Sequence, residues 1–419
     1  MSIFKKLNNS RGVLLKNTLL LYILQFSTYF FALLATPYET RVLGVEVFGL
    51  LETSLAIVTY FQLIIDFGFM LSATEEVSKE RHNQQRLCQI LTSVIICKLL
   101  LMVVSFGILV VLCRKIPAWE SKQTIIMLCF AASCINSLLP DFLYRGLEKM
   151  GAITIRTVLI RIFFTASIFV FVKTQEQVWV VPLLNVVGNA VAVVLTYLHV
   201  FQNLKVRFIP VHVKEVFREL KRSYVFFFSR IATTAYTVMN TVILDVISNG
   251  GAATGYYTSA NKLINAGKNG LSPIADSMYP YMAQHKDFKL VKKVLLICEP
   301  VIFAFCAVVF VFAEPFCVLF FGEGFGPTGN VLRAMLPIGV VTLPNYILGF
   351  PTMTAMGISK HANYSTIFGS VFHIVLLLVL HLANSLSVMS LAISVSVTET
   401  VILVYRATVI YLNRNRFNS

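Results

Sequence analysis

Residues 87–113, LCQILTSVIICKLLLMVVSFGILVVLC, are a nearly continuous run of apolar side chains that contains a single charge, at Lys98. A helix rises about 1.5 Å per residue and needs about 20 apolar residues to cross a hydrocarbon core that is about 30 Å thick. A run of this length and composition predicts a membrane-spanning helix.

The rest of the chain has the same character. Of the 419 residues, 57% are hydrophobic and 13% are charged, and the mean hydropathy is +0.76, whereas about 25% of residues are charged in soluble domains. A water-soluble protein is therefore excluded. An apolar window of about 19 residues predicts an all-α polytopic membrane protein with about twelve transmembrane helices. They lie near 17–37, 48–72, 87–113, 123–143, 152–172, 178–200, 224–248, 253–283, 294–320, 332–356, 362–382 and 386–411.

The net charge of +15 comes from cations in the short gaps between apolar runs, a distribution that argues against nucleic acid as a partner. If the N-terminus lies in the cytoplasm, cytoplasmic segments hold 24 of the 35 Lys and Arg residues and outward segments hold 6. Because cytoplasmic loops are enriched in these residues, we expect both termini in the cytoplasm. The apolar run from Leu19 lacks a small-residue cleavage site and is interpreted as the first membrane helix.

The longest connection, at 201–223, is basic and lies near the midpoint of the chain. It predicts a cytoplasmic linker between an N-terminal lobe of six helices at 1–200 and a C-terminal lobe of six helices at 224–419. Its charges suit either an amphipathic helix that lies on anionic lipid or a solvated orientation signal.

The two halves also contain similar sequence motifs. Gly44 and Gly49 at the entry to the second predicted helix match Gly250 and Gly255 at the entry to the eighth, 206 residues later. Three residues at the end of the fourth predicted helix match three at the end of the tenth, 211 residues later: Pro140, Gly146 and Lys149 match Pro351, Gly357 and Lys360. Parallel repeats of this kind predict two pseudo-symmetric lobes around a central cavity, as in many transporters.

Polar side chains recur along the predicted helix 253–283. Five of them, here called the polar row, share one helical face: Asn261, Asn265, Lys268, Ser272 and Asp276. A charge at the bilayer centre costs at least about 2.5–3.5 kcal/mol, so this face is predicted to line a polar cavity for an anionic or sugar-bearing substrate. The residues that flank it are Lys262 and Asn269. The alternative interpretation is that both lysines extend to the membrane–water interface or pair with Asp276 or another buried acid.

Two arginines also lie within predicted helices. Arg230 and Arg161 carry a planar cation that suits phosphate oxygens, so both are candidate substrate contacts. The alternatives are an interface anchor for Arg230 and a pair with Asp141 for Arg161. Lys98 is expected to reach an interface or to form an ion pair.

Buried acids in transporters bind H⁺ or Na⁺ and couple its gradient to the conformational change. The candidates for this role are Asp66, Asp245, Asp276 and Glu399. For each of them the competing interpretation is a salt-bridge partner or a helix end near water, and Asp66 and Asp245 do lie close to predicted helix ends.

The sequence contains no Gly-rich nucleotide loop, no H-E-x-x-H and no G-x-S-x-G. The seven His have no ligand spacing, and the eight Cys, without a C-x-x-C pair, are interpreted as small core side chains. We therefore expect no enzyme activity, no metal site and no cofactor.

Four stretches remain: PYETRVLGVEVFGL at 37–50 with DFGF at 66–69, LPDFLYRGLEKM at 139–150, the segment 255–280, and FGEGF at 321–325 with Leu332 and Arg333. Together they resemble bacterial polysaccharide flippases, the Wzx branch of the MOP exporter superfamily. They occur in order over nearly the whole chain. Arg41 and Arg145 match motif positions of that family and join the candidate cavity residues. ATEEV at 73–77 departs from it, since relatives commonly have a basic residue there.

The resemblance implies a protein of the bacterial inner membrane with twelve helices in two lobes around a cationic cavity, and alternating access driven by H⁺ or Na⁺. The implied substrate is an undecaprenyl-diphosphate-linked oligosaccharide, an O-antigen or capsule repeat unit, moved from the cytoplasmic to the periplasmic leaflet. The polymerase of the same pathway is an implied partner.

Two other functions compete with this one. A multidrug exporter of the same superfamily would need no long cationic row. An O-antigen polymerase or ligase is expected to have large outward loops with catalytic arginines, whereas the longest connection here is predicted to face the cytoplasm.

Overall fold

The computed structural model describes residues 10–120, 122–248 and 251–414. These residues form sixteen α-helices and two short 3-10 helices, Gln175–Trp179 and Glu323–Phe325, and include no β-strand. The helices are α1 (Ser10–Asp66), α2 (Phe69–Lys79), α3 (Gln84–Lys115), α4 (Pro117–Glu120), α5 (Gln123–Ser137), α6 (Asp141–Gly146), α7 (Met150–Phe171), α8 (Val180–Gln202), α9 (Val213–Ser248), α10 (Ala252–His285), α11 (Phe288–Val311), α12 (Ala313–Phe321), α13 (Thr328–Leu348), α14 (Phe350–Ala355), α15 (Lys360–Leu382) and α16 (Val388–Leu412).

Within the described residues, nine helical stretches are long and apolar enough to cross a membrane. The first of them, Tyr22–Lys79, holds two predicted spans, because Gly44 has a φ of 71° and interrupts α1. The more polar α9 and α10 have 36 and 34 residues, which is longer than the roughly 20 residues that a span requires. The prediction of an all-α multi-pass membrane protein is confirmed, while the count of twelve spans stays a prediction.

The chain divides into two compact units. Unit 1 comprises the residues up to Leu43 and Ser54–Ile231, and unit 2 comprises Gly44–Thr53 and the residues from Ala232 onward. The short segment at the start of the second predicted helix thus belongs to unit 2, although most of unit 1 follows it in sequence. The predicted lobe boundaries at residues 200 and 224 stay a prediction.

In unit 1, the short helices α2 and α6 pack tightly against each other. Gly146 permits this approach, because a Cβ at its position would overlap the side chain of Val77 and lie 2.9 Å from the carbonyl oxygen of Thr74. The core around them includes the fully buried Leu91 and Leu143. This packing anchors the segment that follows the second span to the end of the fourth.

The linker belongs to unit 1 and packs against the rest of that unit. Val206 and Ser223 are completely buried, whereas Phe217 is 67% exposed. The hydroxyl oxygen of Ser223 lies 2.6 Å from that of Ser72. From Val213 onward the linker forms the first turns of α9, so it is an amphipathic helix whose buried face contacts protein. Neither of the two interpretations from sequence included this contact.

Charged side chains fasten the linker to the end of α2 and the start of α3. Arg86 lies 2.5 Å from a carboxylate oxygen of Glu76 and 2.7 Å from one of Glu215. Arg222 also pairs with Glu76, and its Nη1 lies 3.9 Å from Oε1 of Glu219. Glu76 lies in the stretch 73–77 that departs from the resembled family, and its contacts with two arginines give a physical reason for an acid at this position.

One carboxyl group of this cluster, that of Glu219, has a raised pKa. Glu219 is 1% exposed, and burial together with the neighbouring Glu76 carboxylate raises the pKa of Glu219 above the usual carboxyl value, an effect that Arg222 and Arg86 only partly offset. The folded state therefore holds this proton more tightly than the unfolded state does. The resulting stabilisation is complete below the usual carboxyl pKa and is lost as the pH rises through the raised pKa.

We expect the thermal unfolding midpoint of the purified protein to fall as the pH rises from the usual carboxyl pKa to the raised pKa of Glu219. This range of pH is the titration window of Glu219. Glu219→Gln should flatten the fall, because an amide does not titrate. Glu75→Gln is the matched control, since Glu75 is exposed and its pKa is lowered by Lys79, outside the window. An equal fall of the midpoint in the Glu219→Gln protein would contradict this assignment.

In unit 2, the segment 44–53 packs directly on the start of α10. A Cβ on Gly49 would overlap the carbonyl oxygen of Gly251 and lie 2.7 Å from the backbone nitrogen of Gly255. A Cβ on Gly255 would overlap the carbonyl oxygen of Val45. The two helices therefore meet backbone to backbone, as small residues allow in membrane proteins. Elsewhere in unit 2, α13 is central and packs against α10, α11, α12 and α16.

The internal repeat is present in the structure with a shifted register. Gly44 and Gly251, 207 residues apart, each have a positive φ before the second long helix of their half, whereas Gly250 lies outside the described residues. The six-residue helices α6 and α14 begin 209 residues apart, and positive φ angles follow at Glu148 and Gly357. The starts of these two helices show which backbone positions are equivalent in the two halves. The spacing of 211 residues between the matched prolines therefore differs by two residues from the structural spacing of 209.

Candidate functional site

Both lysines of α10 form ion pairs within unit 2. Nζ of Lys262 lies 2.8 Å from Oε1 of Glu52 and 4.9 Å from the ring centre of Phe48. Nζ of Lys268 lies 2.6 Å from Oε1 of Glu399. Pairing with a buried acid was the alternative interpretation of these lysines, and the structure shows such pairing for both, with partners other than Asp276.

The pair formed by Lys268 and Glu399 belongs to a larger polar network. The amide nitrogen of Asn345 donates to Oε2 of Glu399 at 3.3 Å and to its backbone oxygen at 3.0 Å. Arg406 donates to the carbonyl oxygen of Asn345, and its Nε donates to the hydroxyl of Ser365 at 2.9 Å. The network joins α10, α13, α15 and α16, so Glu399 is held in place by neighbours that do not depend on Lys268.

The ion pair remains partly accessible. The side chain of Lys268 is 20% exposed and that of Glu399 is 8% exposed. On the same face of α10, Asn265 and Asp276 are exposed and Ser272 is half-buried. Amides, a hydroxyl and a paired ammonium group therefore lie along one helix face together with the carboxylate of Asp276. The amides and the ammonium group suit a polar ligand that carries an anionic group.

A second polar network in unit 2 is closed to solvent. His373 is fully buried. Its Nε2 atom lies 3.0 Å from Oδ1 of Asn240, and its Nδ1 atom lies 2.8 Å from the hydroxyl of Thr398. Asn240 also donates to the hydroxyl of Tyr257 at 3.0 Å. Asp245, one of the candidate coupling acids, lies near the end of α9, where the sequence placed it, but it is fully buried rather than near water.

In unit 1, Lys98 donates to Asp66 at 3.2 Å and to the carbonyl oxygen of Ser137 at 2.6 Å, which confirms that Lys98 forms a pair. The proposed pair of Arg161 with Asp141 is wrong. Arg156 makes that contact instead, at 2.8 and 3.1 Å, because it lies nearer the start of α7 and so nearer to α6.

The candidate residues are distributed over both units. Arg41 and Arg230 are exposed, while Arg145 and Arg161 are half-buried, and all four belong to unit 1. The candidates on α10 all belong to unit 2: Asn261, Lys262, Asn265, Lys268, Asn269 and Ser272. It stays a prediction that these residues line one substrate cavity. It also stays a prediction that an acid couples an ion, the candidates being Asp66, Asp245, Asp276 and Glu399.

Sequence reasoning missed two members of the polar network around Glu399, namely Asn345 and Arg406. Glu52 is recognisable in the sequence as an acid within an apolar run, but its partner, Lys262, lies 210 residues away. Arg406 was counted with the cytoplasmic cations, and Asn345 stood in an apolar run without a periodic pattern. Only the packing of α13 and α16 brings these side chains to Glu399.

Two relatives cover nearly the whole chain. Both are called "Putative O-antigen transporter". The protein from Escherichia coli (strain K12) is 26% identical over 403 residues, which is 94% of this chain and 96% of that protein. The protein from Shigella dysenteriae is 25% identical over 397 residues, which is 93% of this chain and 98% of that protein.

Solved structures share the fold. The inward-facing conformation of a multidrug resistance MATE family transporter of the MOP superfamily superposes with a TM-score of 0.69 at 15% identity, over 93% of this chain and 94% of that chain. Lipid II flippase MurJ, in its inward closed conformation, superposes with a TM-score of 0.64 at 14% identity, over 95% of this chain and 87% of that chain. The fold is thus that of MOP superfamily transporters.

The match to a family model covers well over half of the chain. It extends over residues 14–286, from α1 through the whole polar row and to the end of α10, and the family is described as "Polysaccharide biosynthesis protein". The motifs that carried the resemblance at 37–50, 139–150 and 255–280 all lie within it. This multi-pass membrane protein therefore belongs to the polysaccharide biosynthesis protein family.

Proposed function

We propose that the protein is a flippase that moves an undecaprenyl-diphosphate-linked oligosaccharide, an O-antigen or capsule repeat unit, from the cytoplasmic to the periplasmic leaflet of a bacterial inner membrane. It works by ion-coupled alternating access, with both termini in the cytoplasm. Membership of the polysaccharide biosynthesis family and the names of the two O-antigen relatives support this function.

The observation that carries the proposal is the partly exposed ion pair on the polar face of α10. Charged side chains are expensive in a membrane helix and are kept where they face protein or water. Nζ of Lys268 lies 2.6 Å from a carboxylate oxygen of Glu399, and exposed or half-buried amides flank it on the same helix. The cation suits the diphosphate, and the amides suit sugar hydroxyls.

The pair also offers a route to ion coupling. A diphosphate that binds Lys268 competes with Glu399 for the same ammonium group. Glu399, 8% exposed, would then be a buried carboxylate without its cation, and such a group takes up a proton or a metal cation. Substrate binding and uptake of H⁺ or Na⁺ at Glu399 would thus favour each other, as reciprocal linkage requires.

The protein acts in this proposal without covalent chemistry or a cofactor. Its partners are the lipid-linked saccharide, the bilayer and the polymerase of the same pathway. A multidrug exporter is the second candidate, because a MATE transporter shares the fold. That likeness concerns the fold alone, and a cationic drug would gain nothing from the lysines of α10. A polymerase or ligase is a more distant alternative.

Transport by the purified full-length chain in lipid vesicles tests the proposal. We expect a lipid-linked saccharide added to one leaflet to become accessible to a glycosidase on the other side, and to do so faster with an ion gradient. Arg230→Ala should reduce this rate while leaving the protein inserted. Efflux of a cationic dye without saccharide transport would favour the drug exporter. A reporter fused near residue 210 that proved periplasmic would revive the polymerase or ligase.

A further inference from the structure

A groove of about 550 Å³ runs between α7 and α8 in unit 1. Its walls are aliphatic and aromatic: Ile155, Leu159 and Phe163 from α7, and Val191 and Leu195 from α8. These five side chains are 46–63% exposed, so the groove is open along its length. Its volume falls within the range of about 300–1,000 Å³ that small-molecule sites occupy.

The groove is about one leaflet long. Small residues of α8, Gly188 and Ala192, form part of its lining. The lining positions extend from 152 to 163 on one helix and from 188 to 199 on the other. At about 1.5 Å per residue this is roughly 16 Å, about half of the 30 Å hydrocarbon core. These dimensions suit one extended hydrocarbon chain.

Polar groups line the groove at one end only, where α7 begins and α8 ends. The hydroxyl of Tyr144 lies 2.8 Å from Nδ1 of His199. Nη1 of Arg156 lies 3.4 Å from the hydroxyl of Thr196, while Nη2 donates to Asp141. Hydrogen-bond donors and a guanidinium at the end of an apolar track match a molecule with a phosphate at one end and a hydrocarbon chain at the other.

We propose that the groove between α7 and α8 binds the hydrocarbon chain of the lipid-linked saccharide, with its phosphate end at Arg156 and His199. This inference rests on the proposed function, which supplies a single-chain phosphate lipid. The predicted topology places the polar end on the cytoplasmic side, the leaflet from which that function takes its cargo. A separate site for the chain would hold the lipid in its leaflet while the polar head is transferred.

Photo-crosslinking of the purified full-length chain in nanodiscs tests the proposal. The probe is a polyisoprenyl diphosphate with a diazirine in its chain, and labelled residues are identified by mass spectrometry. We expect labelling to concentrate at Ile155, Leu159 and Leu195, and to be competed by unlabelled polyisoprenyl diphosphate but not by phosphatidylglycerol. Labelling spread evenly over exposed apolar helices, or equal competition by phosphatidylglycerol, would overturn the proposal.

A pair of variants sharpens the test. A Cβ at position 188 would lie 3.6 Å from Ile160 and 3.8 Å from Phe163, which is ordinary contact, so the remainder of a leucine side chain projects into the groove. Gly188→Leu should reduce labelling at least about tenfold, since hydrophobic pockets discriminate by about 10–200-fold per methylene. Val194→Trp, at a 58% exposed position of α8 outside the groove, should leave it unchanged. Equal labelling of both variants would contradict the proposal.

The result can be separated from that of the transport assay. Competed labelling of the groove in a protein that moves no lipid-linked saccharide would support the groove and refute the proposed function. Saccharide transport without concentrated labelling would support the function and refute the groove. If Gly188→Leu does not fold, the competition measured on the unsubstituted chain decides.

Discussion

Gly49→Ala and Gly255→Ala will each destabilise unit 2 severely. At both positions the added methyl group would overlap a backbone carbonyl oxygen of the facing helix, of Gly251 in the first case and of Val45 in the second. Overpacking typically costs about 1–3 kcal/mol even where side chains can move. Here the obstacles are backbone atoms, which no change of rotamer can relieve. We expect a loss of at least about 3 kcal/mol, seen as a lower thermal midpoint or as aggregation.

The matched control lies on the same helix. A Cβ on Gly267 of α10 would meet nothing within 4 Å. Gly267→Ala should leave the midpoint unchanged or raise it, because alanine is favoured over glycine in a helix by about 1 kcal/mol. A small effect at Gly49 and Gly255, similar to that at Gly267, would show that the contact between the two helices is looser than the structure has it.

Lys268→Met will destabilise the protein, and a second change will restore its stability but not its transport. The single variant leaves the carboxylate of Glu399 buried without its ammonium partner, a change that costs about 3–5 kcal/mol when a buried pair is broken. Lys268→Met combined with Glu399→Gln removes both charges and should recover most of the thermal midpoint. Transport of the lipid-linked saccharide should remain at least about tenfold reduced, because neither the diphosphate contact nor the titrating acid is present.

The double variant separates a structural role from a functional one. Full transport by the stable double variant would mean that Lys268 and Glu399 only stabilise unit 2, as the alternative interpretation holds. The exposed pair of Lys79 and Glu75 on α2 serves as the control. Exposed pairs contribute about 0–1 kcal/mol, so Lys79→Met with Glu75→Gln should change neither stability nor transport.

Several elements of the fold were predictable because the membrane imposes a local rule. A span needs about 20 consecutive apolar residues, and this requirement can be evaluated from neighbours in sequence. The least apolar predicted span, 253–283, corresponds to α10, and the helix reaches from Ala252 to His285. The interruption of α1 at Gly44 lies between the first two predicted spans. The linker was harder, because its contact with unit 1 depends on Glu76 and Arg86, which precede it by more than 100 residues.

The candidate site was predictable in part. Periodicity alone identified the row that contains Lys268, and hydropathy alone identified Glu399 as an acid in an apolar segment. The choice of partners was not predictable, because an ion pair depends on distances of a few Å between helices that are far apart in sequence. Arg161 shows the same limit: Arg156 lies five residues nearer to Asp141, and the geometry of α6 and α7 selects it.

The sequence by itself determined that this is a helical multi-pass membrane protein with a polar face on one of its helices, because apolar length and helical periodicity are properties of consecutive residues. Only the tertiary structure decided that Lys262 pairs with Glu52 and Lys268 with Glu399, and that Gly49 and Gly255 allow two backbones to touch. These contacts join residues from 131 to more than 200 positions apart. Their existence depends on how the helices pack, and no local pattern encodes that distance.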